Sequence, residues 1–170
     1  KIYADPCEDD LAAFERASKE WEMVARRFPE ADPSEKYPYH DPRAFTAGNY
    51  GIKTWGDLFS PRQKLAMHTL GEIIREYHEQ MRQEGVDTIL ARDAATALAL
   101  SISNALIYNT SLSGWIKEGM QSCGSMNAIL MRWDWAEANV LSADYAGGIS
   151  YTFKQAMSAL RVSAQVHNSS

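Results

Sequence analysis

The hydrophobic and polar positions of this chain follow a helical period over most of its length. A first amphipathic helix is predicted over residues 9–28, and Pro29 ends it. A last helix is predicted over about 150–166, after the glycine pair at 147–148 interrupts the pattern. No segment alternates strictly between apolar and polar residues, so the pattern predicts a mostly α fold.

Two long helices are predicted in the middle of the chain. The first runs from Pro61 to about Glu84, with its large apolar residues on one side, and Gly85 is placed to end it. The second runs from near Asp87 to about Tyr108 and has a wide face of small residues suited to close packing. Because the turn between them is short, we expect a long antiparallel helix pair.

The start of the first long helix is the most strongly specified point of the sequence. Ser60 is a favoured N-cap residue, Pro61 suits the first helical position, and Gln63 completes a Ser-x-x-Gln capping box. The apolar pair 58–59 stands where a hydrophobic staple is expected. The loop at 51–60 is therefore predicted to be held in one shape.

The remaining segments are predicted to be irregular and either Pro-rich or Gly/Ser-rich. Prolines at four positions of residues 29–50 favour extended backbone, and the aromatic residues among them suggest packing along a surface. We therefore divide the chain into 1–50, an N-terminal helix plus extended linker, and 51–170, a helical core domain. After Asn109 a Ser-rich loop is expected, and periodicity does not decide whether 126–137 is helix or strand.

Composition and charge narrow the classes of function. The 170 residues are 45% hydrophobic and contain no apolar run long enough to span a membrane, so no membrane association is expected. Two distant cysteines, Cys7 and Cys123, favour free thiols in a reducing, cytoplasmic compartment, with a single disulfide as the alternative. The net charge of −5 and the lack of a basic stripe argue mildly against independent nucleic-acid binding.

Catalytic and metal-binding patterns are not found in the sequence. His68 and Glu72 have helical spacing, but no Glu-x-x-His occurs, so a solvated polar face is favoured over a metal site. No nucleophile elbow is present, and the glycines at 147–148 are too few for a phosphate-binding loop. We therefore predict no catalytic residue and no metal in this chain.

Two patches combine aromatic and polar residues densely. In 109–115, Asn109, Ser111 and Trp115 could form a contact surface, or could cap the helix with the indole folded onto the core. In 131–139, Arg132 and Trp133 could stack a base, or could belong to a core in which the arginine pairs with the following aspartate.

These segments together resemble a known family. The sequences GIKTWGDLFSPRQKLAM (51–67), NTSLSGW (109–115) and MRWDWAEAN (131–139) are similar, in order and rough spacing, to segments of large adenine-specific DNA methylases. Those proteins contain a domain of unknown function and a zinc-ribbon-like segment. The resemblance covers about residues 45–160, and the Leu-Phe-x-Pro-Arg-Gln portion is its most specific part.

The resemblance implies an S-adenosylmethionine-dependent enzyme, but only part of one. The family's glycine-rich cofactor loop and Asp-Pro-Pro-Tyr motif are both missing, and Val140 stands where the family usually has proline. This chain would then be a helical insert without a cofactor of its own, positioning DNA or closing over the cleft of the methylase core. The contact residues implied are Arg62, Gln63, Asn109, Ser111, Trp115, Arg132 and Trp133.

Structural roles are the alternatives for two of these residues, since Arg62 could simply pair with Asp57 and Gln63 could simply cap its helix. For the whole chain, the alternative function is a helical protein–protein interaction module of a defence or restriction-type complex. The acidic net charge favours that alternative somewhat. A free-standing enzyme with an unrecognised site is the third possibility.

Overall fold

The computed structural model describes residues 5–38, 43–117, 119–124, 128–142 and 145–167. The described residues form four α-helices and one two-stranded antiparallel sheet, which confirms the mostly α prediction. The regular elements are α1 (Glu8–Arg27), α2 (Pro61–Gln83), α3 (Thr88–Leu106), β1 (Gly114–Ile116), β2 (Gly119–Gln121) and α4 (Ile149–His167). Single 3₁₀ turns occupy Pro29–Ala31, Thr46–Tyr50 and Trp55–Leu58. The predictions for Tyr39, Pro42 and Met126 lie outside the described residues.

Both ends of α2 form as their sequence predicts. Ser60 Oγ accepts a hydrogen bond from the Gln63 amide at 3.2 Å, and Gln63 Oε1 accepts one from the Ser60 amide at 2.8 Å. At the other end Gly85 adopts a φ of +78°, and the Val86 amide donates to the Met81 carbonyl at 3.0 Å. This is a Schellman motif, for which glycine is preferred because it adopts positive φ without strain.

The helices pack in sequence order. α2 contacts both α1 and α3, and α3 in turn contacts α4. His68 on α2 lies against the Trp21 and Phe28 rings, with ring centroids 6.3 and 5.7 Å apart. The expectation of a solvated polar face is therefore wrong for His68, because α1 covers this side of α2.

One buried hydrophobic cluster is formed by residues of loops and 3₁₀ turns and not by the α-helices. Tyr37, Ala47, Leu58 and Leu112 are buried together, so the Pro-rich segment packs against the protein as predicted. The Tyr37 hydroxyl donates to the Ile129 carbonyl at 3.1 Å, and burial raises the pKa of Tyr37 to about 12. The segments 1–50 and 51–170 thus contribute side chains to one shared cluster.

The segment after Asn109 differs from its prediction. Instead of an irregular loop, β1 and β2 form a short hairpin, and Gly114 makes an additional antiparallel bridge to Trp135. Residues 128–142 form neither a helix nor a strand. Three-residue strands are too short to show an alternating pattern, and their pairing depends on distant partners, so periodicity does not reveal them.

One apolar surface is left open between α2, α3 and α4. A groove of about 290 Å³, here called the apolar groove, is lined by Ile73, Tyr77, Leu98, Ile102 and Phe153. The side chains of Ile73 and Tyr77 are about half exposed, so the apolar side of α2 is only partly covered. Among the described helices, none has the length and apolarity needed to cross a membrane.

Candidate functional site

Six of the seven candidate residues line two neighbouring recesses. The first, here called the polar cavity, has a volume of about 320 Å³ and lies at the start of α2. Its polar lining residues are Arg62, Gln63, Asn109, Glu137 and Asn139, and its apolar ones are Ala66, Met67, Ala138 and Val140. The second, here called the aromatic groove, is a more open recess of about 640 Å³ lined by Trp115, Ile116, Gln121 and residues 130–134.

Arg62 closes one side of the polar cavity through an ion pair. Its Nε and Nη2 donate to the two carboxylate oxygens of Glu137 at 2.8 and 3.0 Å, a bidentate arrangement. These hydrogen bonds hold the pKa of Arg62 above its ordinary value, although burial opposes the charge. The guanidinium carbon also lies 5.7 Å from the Phe14 ring centroid, which brings α1 to the same place.

The alternative pairing of Arg62 with Asp57 is wrong. The Asp57 carboxylate instead accepts hydrogen bonds from the Lys53 and Thr54 amides, each at 2.8 Å. Burial opposes ionisation of Asp57, but these backbone hydrogen bonds outweigh it and hold the pKa below its ordinary value. Asp57 therefore orders the loop before α2 and does not neutralise Arg62.

Asn109 is a structural member of the cavity wall. Its Nδ2 donates to the Ala105 carbonyl at 2.8 Å and to the Gly147 carbonyl at 2.7 Å. The first bond satisfies the end of α3, as the capping interpretation expects, and the second fixes the glycine pair before α4. A side chain at Gly148 would meet the Ser142 carbonyl oxygen at 1.9 Å, so glycine is required there.

Gln63 caps α2 and also lines the polar cavity. The residue is only 3% exposed, and its Oε1 is engaged by the Ser60 amide. Its Nε2 is buried and finds no hydrogen-bond acceptor among the described residues. Buried donors are nearly always paired in proteins, so an orphaned one requires an explanation.

Ser111 lies in neither recess. Its Oγ and its amide both donate to the Leu58 carbonyl, at 2.9 and 2.7 Å. These two bonds tie the loop after α3 to the loop before α2. The structure therefore places Ser111 where these two loops meet and not at the candidate contact surface.

The aromatic groove exposes large aromatic side chains. Trp133 is 75% exposed and Trp115 42% exposed, and nearby Trp135 is 50% exposed. Trp133 meets Tyr50 edge to face at 5.2 Å, while Trp115 meets Tyr145 at 5.7 Å. The expectation that Trp115 folds onto the core is wrong, and the core interpretation of 131–139 holds only in part. Residues 133–135 are exposed, whereas Met131 packs against the buried cluster and Ala138 is buried.

Arg132 lines the aromatic groove and contacts the hairpin. Its guanidinium donates to Gln121 Oε1 on β2, and not to Asp134 as the core interpretation expects. A Cβ atom at Gly114 would lie 1.6 Å from Arg132 Nη1, so the missing side chain of Gly114 makes room for the guanidinium. The groove thus contains a cation as well as exposed indoles.

One stretch of backbone connects the two recesses. Trp135 pairs with Gly114 of β1, and the Ala136 amide donates to the Ser113 carbonyl at 2.9 Å. Glu137 then reaches Arg62 at the start of α2. We call residues 131–140 the connecting segment, because it lines the aromatic groove at one end and the polar cavity at the other.

Some residues of these recesses were not candidates from the sequence. Glu137 and Asn139 belong to a segment that the sequence singles out, but no local signal indicates a partner 75 positions away for Glu137. Tyr50, which supports Trp133, lies in a turn with no distinctive pattern. Their places follow from long-range packing alone.

Neither cysteine lines the polar cavity or the aromatic groove. Burial raises the pKa of the Cys123 thiol, which disfavours the thiolate that nucleophilic catalysis needs. Cys7 and Cys123 are both free. In the described part of the chain, no group of three or more His, Cys, Asp or Glu side chains could hold a metal ion.

Comparison with protein-family models, with curated proteins and with solved structures found no match for this chain. The fold and the two recesses are therefore interpreted from their own geometry.

Proposed function

We propose that this chain is a helical accessory domain of an adenine-specific DNA methyltransferase, and that it holds a DNA strand beside the catalytic core. The observation that carries the proposal is the aromatic groove, which is lined by Trp115, Arg132 and Trp133 and exposes most of the Trp133 indole. Indole and guanidinium planes stack on unpaired bases whatever their sequence. The segments with the methylase resemblance include all three residues.

A role in holding single-stranded DNA fits what such an enzyme must do. An adenine inside a duplex must leave the base stack before its exocyclic amine can be methylated, which unstacks its neighbours. An exposed aromatic surface could receive those bases, at about 1–3 kcal/mol per stacked base. S-adenosylmethionine and the Asp-Pro-Pro-Tyr motif would belong to the methylase core, and the domain would also help close that cleft. Free thiols are typical of the cytoplasm, where we place the protein.

Trp133 is a better residue to substitute than Arg62 in a test of DNA binding. Arg62 is engaged by Glu137 in a bidentate pair, so its charge is already compensated. Trp133 is far more exposed and supports no buried core, so its removal should affect binding and leave folding intact. We therefore base the test on Trp133.

The test is fluorescence anisotropy of a labelled oligothymidylate at low salt. Wild-type protein should bind the strand, Trp133→Ala should weaken binding by about tenfold, and Trp133→Phe should restore most of it. The matched control is Tyr77→Ala, because Tyr77 is an exposed aromatic residue on α2, away from the groove. Equal binding by Trp133→Ala and wild type, or no binding at low salt, would refute the proposal.

A protein–protein interaction module of a defence or restriction-type complex is the second candidate. The apolar groove between α2, α3 and α4 favours it, because an open apolar surface on a helical domain is a typical docking site. The two candidates make different predictions for the coding DNA. Continuation of the reading frame into an Asp-Pro-Pro-Tyr motif would support the methyltransferase domain, whereas a stop codon directly after Ser170 would favour the interaction module.

A further inference from the structure

The apolar groove continues into an exposed apolar stripe on each of the two helices that border it. On α2, Ile73 and Tyr77 line the groove at helical spacing, and both are about half exposed. On α4, Phe153 lines the groove, and the half-exposed Leu160 follows on the same side about two turns later. Single exposed apolar residues are common on monomers, whereas a contiguous apolar surface is typical of an interaction site.

The α2 border of the groove carries an uncompensated negative charge. Glu76 is exposed and lies one turn beyond Ile73, which lines the groove. The other two glutamates of α2 each pair with an arginine three residues later on the same helix. Among the described residues Glu76 forms no ion pair, so its charge can pair with a group of another molecule.

The α4 border of the groove carries positive charge instead. Lys154 lies one turn beyond Ser150, which lines the groove, and Arg161 lies about two turns further along the same side. Both side chains are exposed, and neither forms an ion pair with another described residue. The sequence of α4 contains no Asp or Glu. The groove therefore has an acidic border on α2 and a basic border on α4.

Opposite charges on the two borders make this surface complementary to itself. In a two-fold symmetric dimer the contacts are reciprocal, because both copies use the same surface. A two-fold axis along the groove places α2 of each copy over α4 of the other and keeps every residue at its own height. Residues 70–77 of α2 span only about 10 Å, so Glu76 and Lys154 lie at nearly the same level.

We propose that the apolar groove is the interface of a homodimer, in which Glu76 of each copy pairs with Lys154 of the other and the apolar stripes cover one another. A second copy compensates both borders at once. A membrane surface or an acidic partner would pair with the basic border alone and leave Glu76 uncompensated. The inference does not depend on DNA binding, because the apolar groove and the aromatic groove share no lining residue.

The experiment measures the mass of the protein in solution by sedimentation equilibrium. At about 100 μM, wild type should show twice the 19.1 kDa of the monomer. Glu76→Lys and Lys154→Glu should each weaken dimerisation by about tenfold or more, because each variant brings like charges together at two places. Glu15→Lys and Lys19→Glu are the matched controls, because they make the same charge changes at exposed positions of α1, which does not line the groove.

Mixing the two charge-reversed variants tests the pairing itself. In a heterodimer of Glu76→Lys with Lys154→Glu, the two introduced charges face one another and the two native charges face one another. Both pairs are then attractive, so an equimolar mixture should dimerise nearly as strongly as wild type. A folding defect cannot produce this recovery, because each variant alone would keep its defect in the mixture.

Variants in the two grooves separate this inference from the proposed function. Tyr77→Ala removes an aromatic anchor from the dimer interface and should weaken dimerisation by about tenfold. The same variant should leave oligothymidylate binding per protomer unchanged. Trp133→Ala should have the reverse effects, because Trp133 lines only the aromatic groove.

Three results would overturn the inference. The first is a wild-type protein that stays monomeric at about 100 μM, which would leave the groove to a different protein. The second is a mixture that dimerises no better than either charge-reversed variant alone. The third is an equal loss of dimerisation in the α1 controls, which would place the interface elsewhere on the molecule.

Discussion

The polar cavity and the aromatic groove share the connecting segment as a wall, yet they are held together in different ways. The cavity is enclosed by paired groups: the capping box of α2, the Arg62–Glu137 ion pair and the buried amide of Asn109. The groove consists of exposed indoles with few constraints beyond edge contacts to Tyr50 and Tyr145. Shape selection is therefore expected of the cavity, and tolerant stacking of the groove.

Because the two recesses are held in different ways, substitutions in one should affect folding and substitutions in the other should affect recognition. Residues around the cavity contribute to stability because their partners come from several elements, so their loss affects more than one contact. Trp133 of the groove, by contrast, is mostly exposed, so its loss should leave the buried cluster intact. Stability should therefore follow the first set of variants and nucleic-acid binding the second.

Leu58→Ala should have the largest effect on stability. Leu58 is buried in the cluster that supports the start of α2, and truncating a buried leucine costs about 2–5 kcal/mol. Chemical denaturation should show a lower midpoint with little change in slope. Leu141→Ala is the matched control, because this leucine is mostly exposed and its loss should cost less than about 0.5 kcal/mol. Similar losses for both variants would contradict the assigned core.

The Arg62–Glu137 pair should contribute less than Leu58. A double-mutant cycle with Arg62→Ala and Glu137→Ala should give a coupling energy of about 1 kcal/mol, because the arginine side chain is half exposed. Salt should reduce the coupling only in part, since the Glu137 side chain is mostly buried. A coupling energy of zero would mean that the ion pair does not define the cavity wall.

Gly114→Ala should weaken DNA binding without destabilising the fold. The added methyl group would occupy the position of the Arg132 guanidinium and displace it from the groove. Without Arg132 in place, the groove would lose a cation–π contact with a bound base. Such a contact is worth about 0.5–1 kcal/mol, which corresponds to a two- to fivefold weaker oligonucleotide affinity. Anisotropy and thermal melting should be measured on the same sample. A large fall in melting temperature would show instead that Gly114 is needed for the hairpin itself.

Asp57 should make the smallest contribution, visible as a pH dependence. Its pKa is lowered in the folded state, so its stabilising effect is fully present above its ordinary value of 3.8 and lost as pH falls through the folded-state pKa. Asp57→Asn should therefore flatten the acid side of the stability profile and leave the neutral side parallel to wild type. An unchanged acid limb would show that Asp57 is not linked to folding.

The sequence predicts those parts of the molecule whose interactions are local. The capping box at Ser60 and the glycine turn at position 85 depend on partners within a few residues, and both form as expected. The cap chemistry is visible in the sequence because it is specified by residue type at fixed spacing.

The candidate recesses depend on distant partners and could be predicted only in part. The residues of the two patches are close in the fold, but the pairing of Arg62 with Glu137 bridges 75 positions. The hairpin at β1 and the exposure of Trp133 follow from how the loops pack on Tyr37 and Leu112, which no local pattern specifies. His68 is covered by α1 for the same reason.

Binding of single-stranded DNA by the exposed aromatic groove is the property on which the proposed function depends. It is tested most directly by anisotropy of labelled oligothymidylate with wild type, Trp133→Ala and Tyr77→Ala across a salt series. We predict binding at low salt that weakens as salt rises, is about tenfold weaker in Trp133→Ala and is unchanged in Tyr77→Ala. Binding that is absent at low salt, or equal in all three proteins, would contradict DNA binding by the aromatic groove.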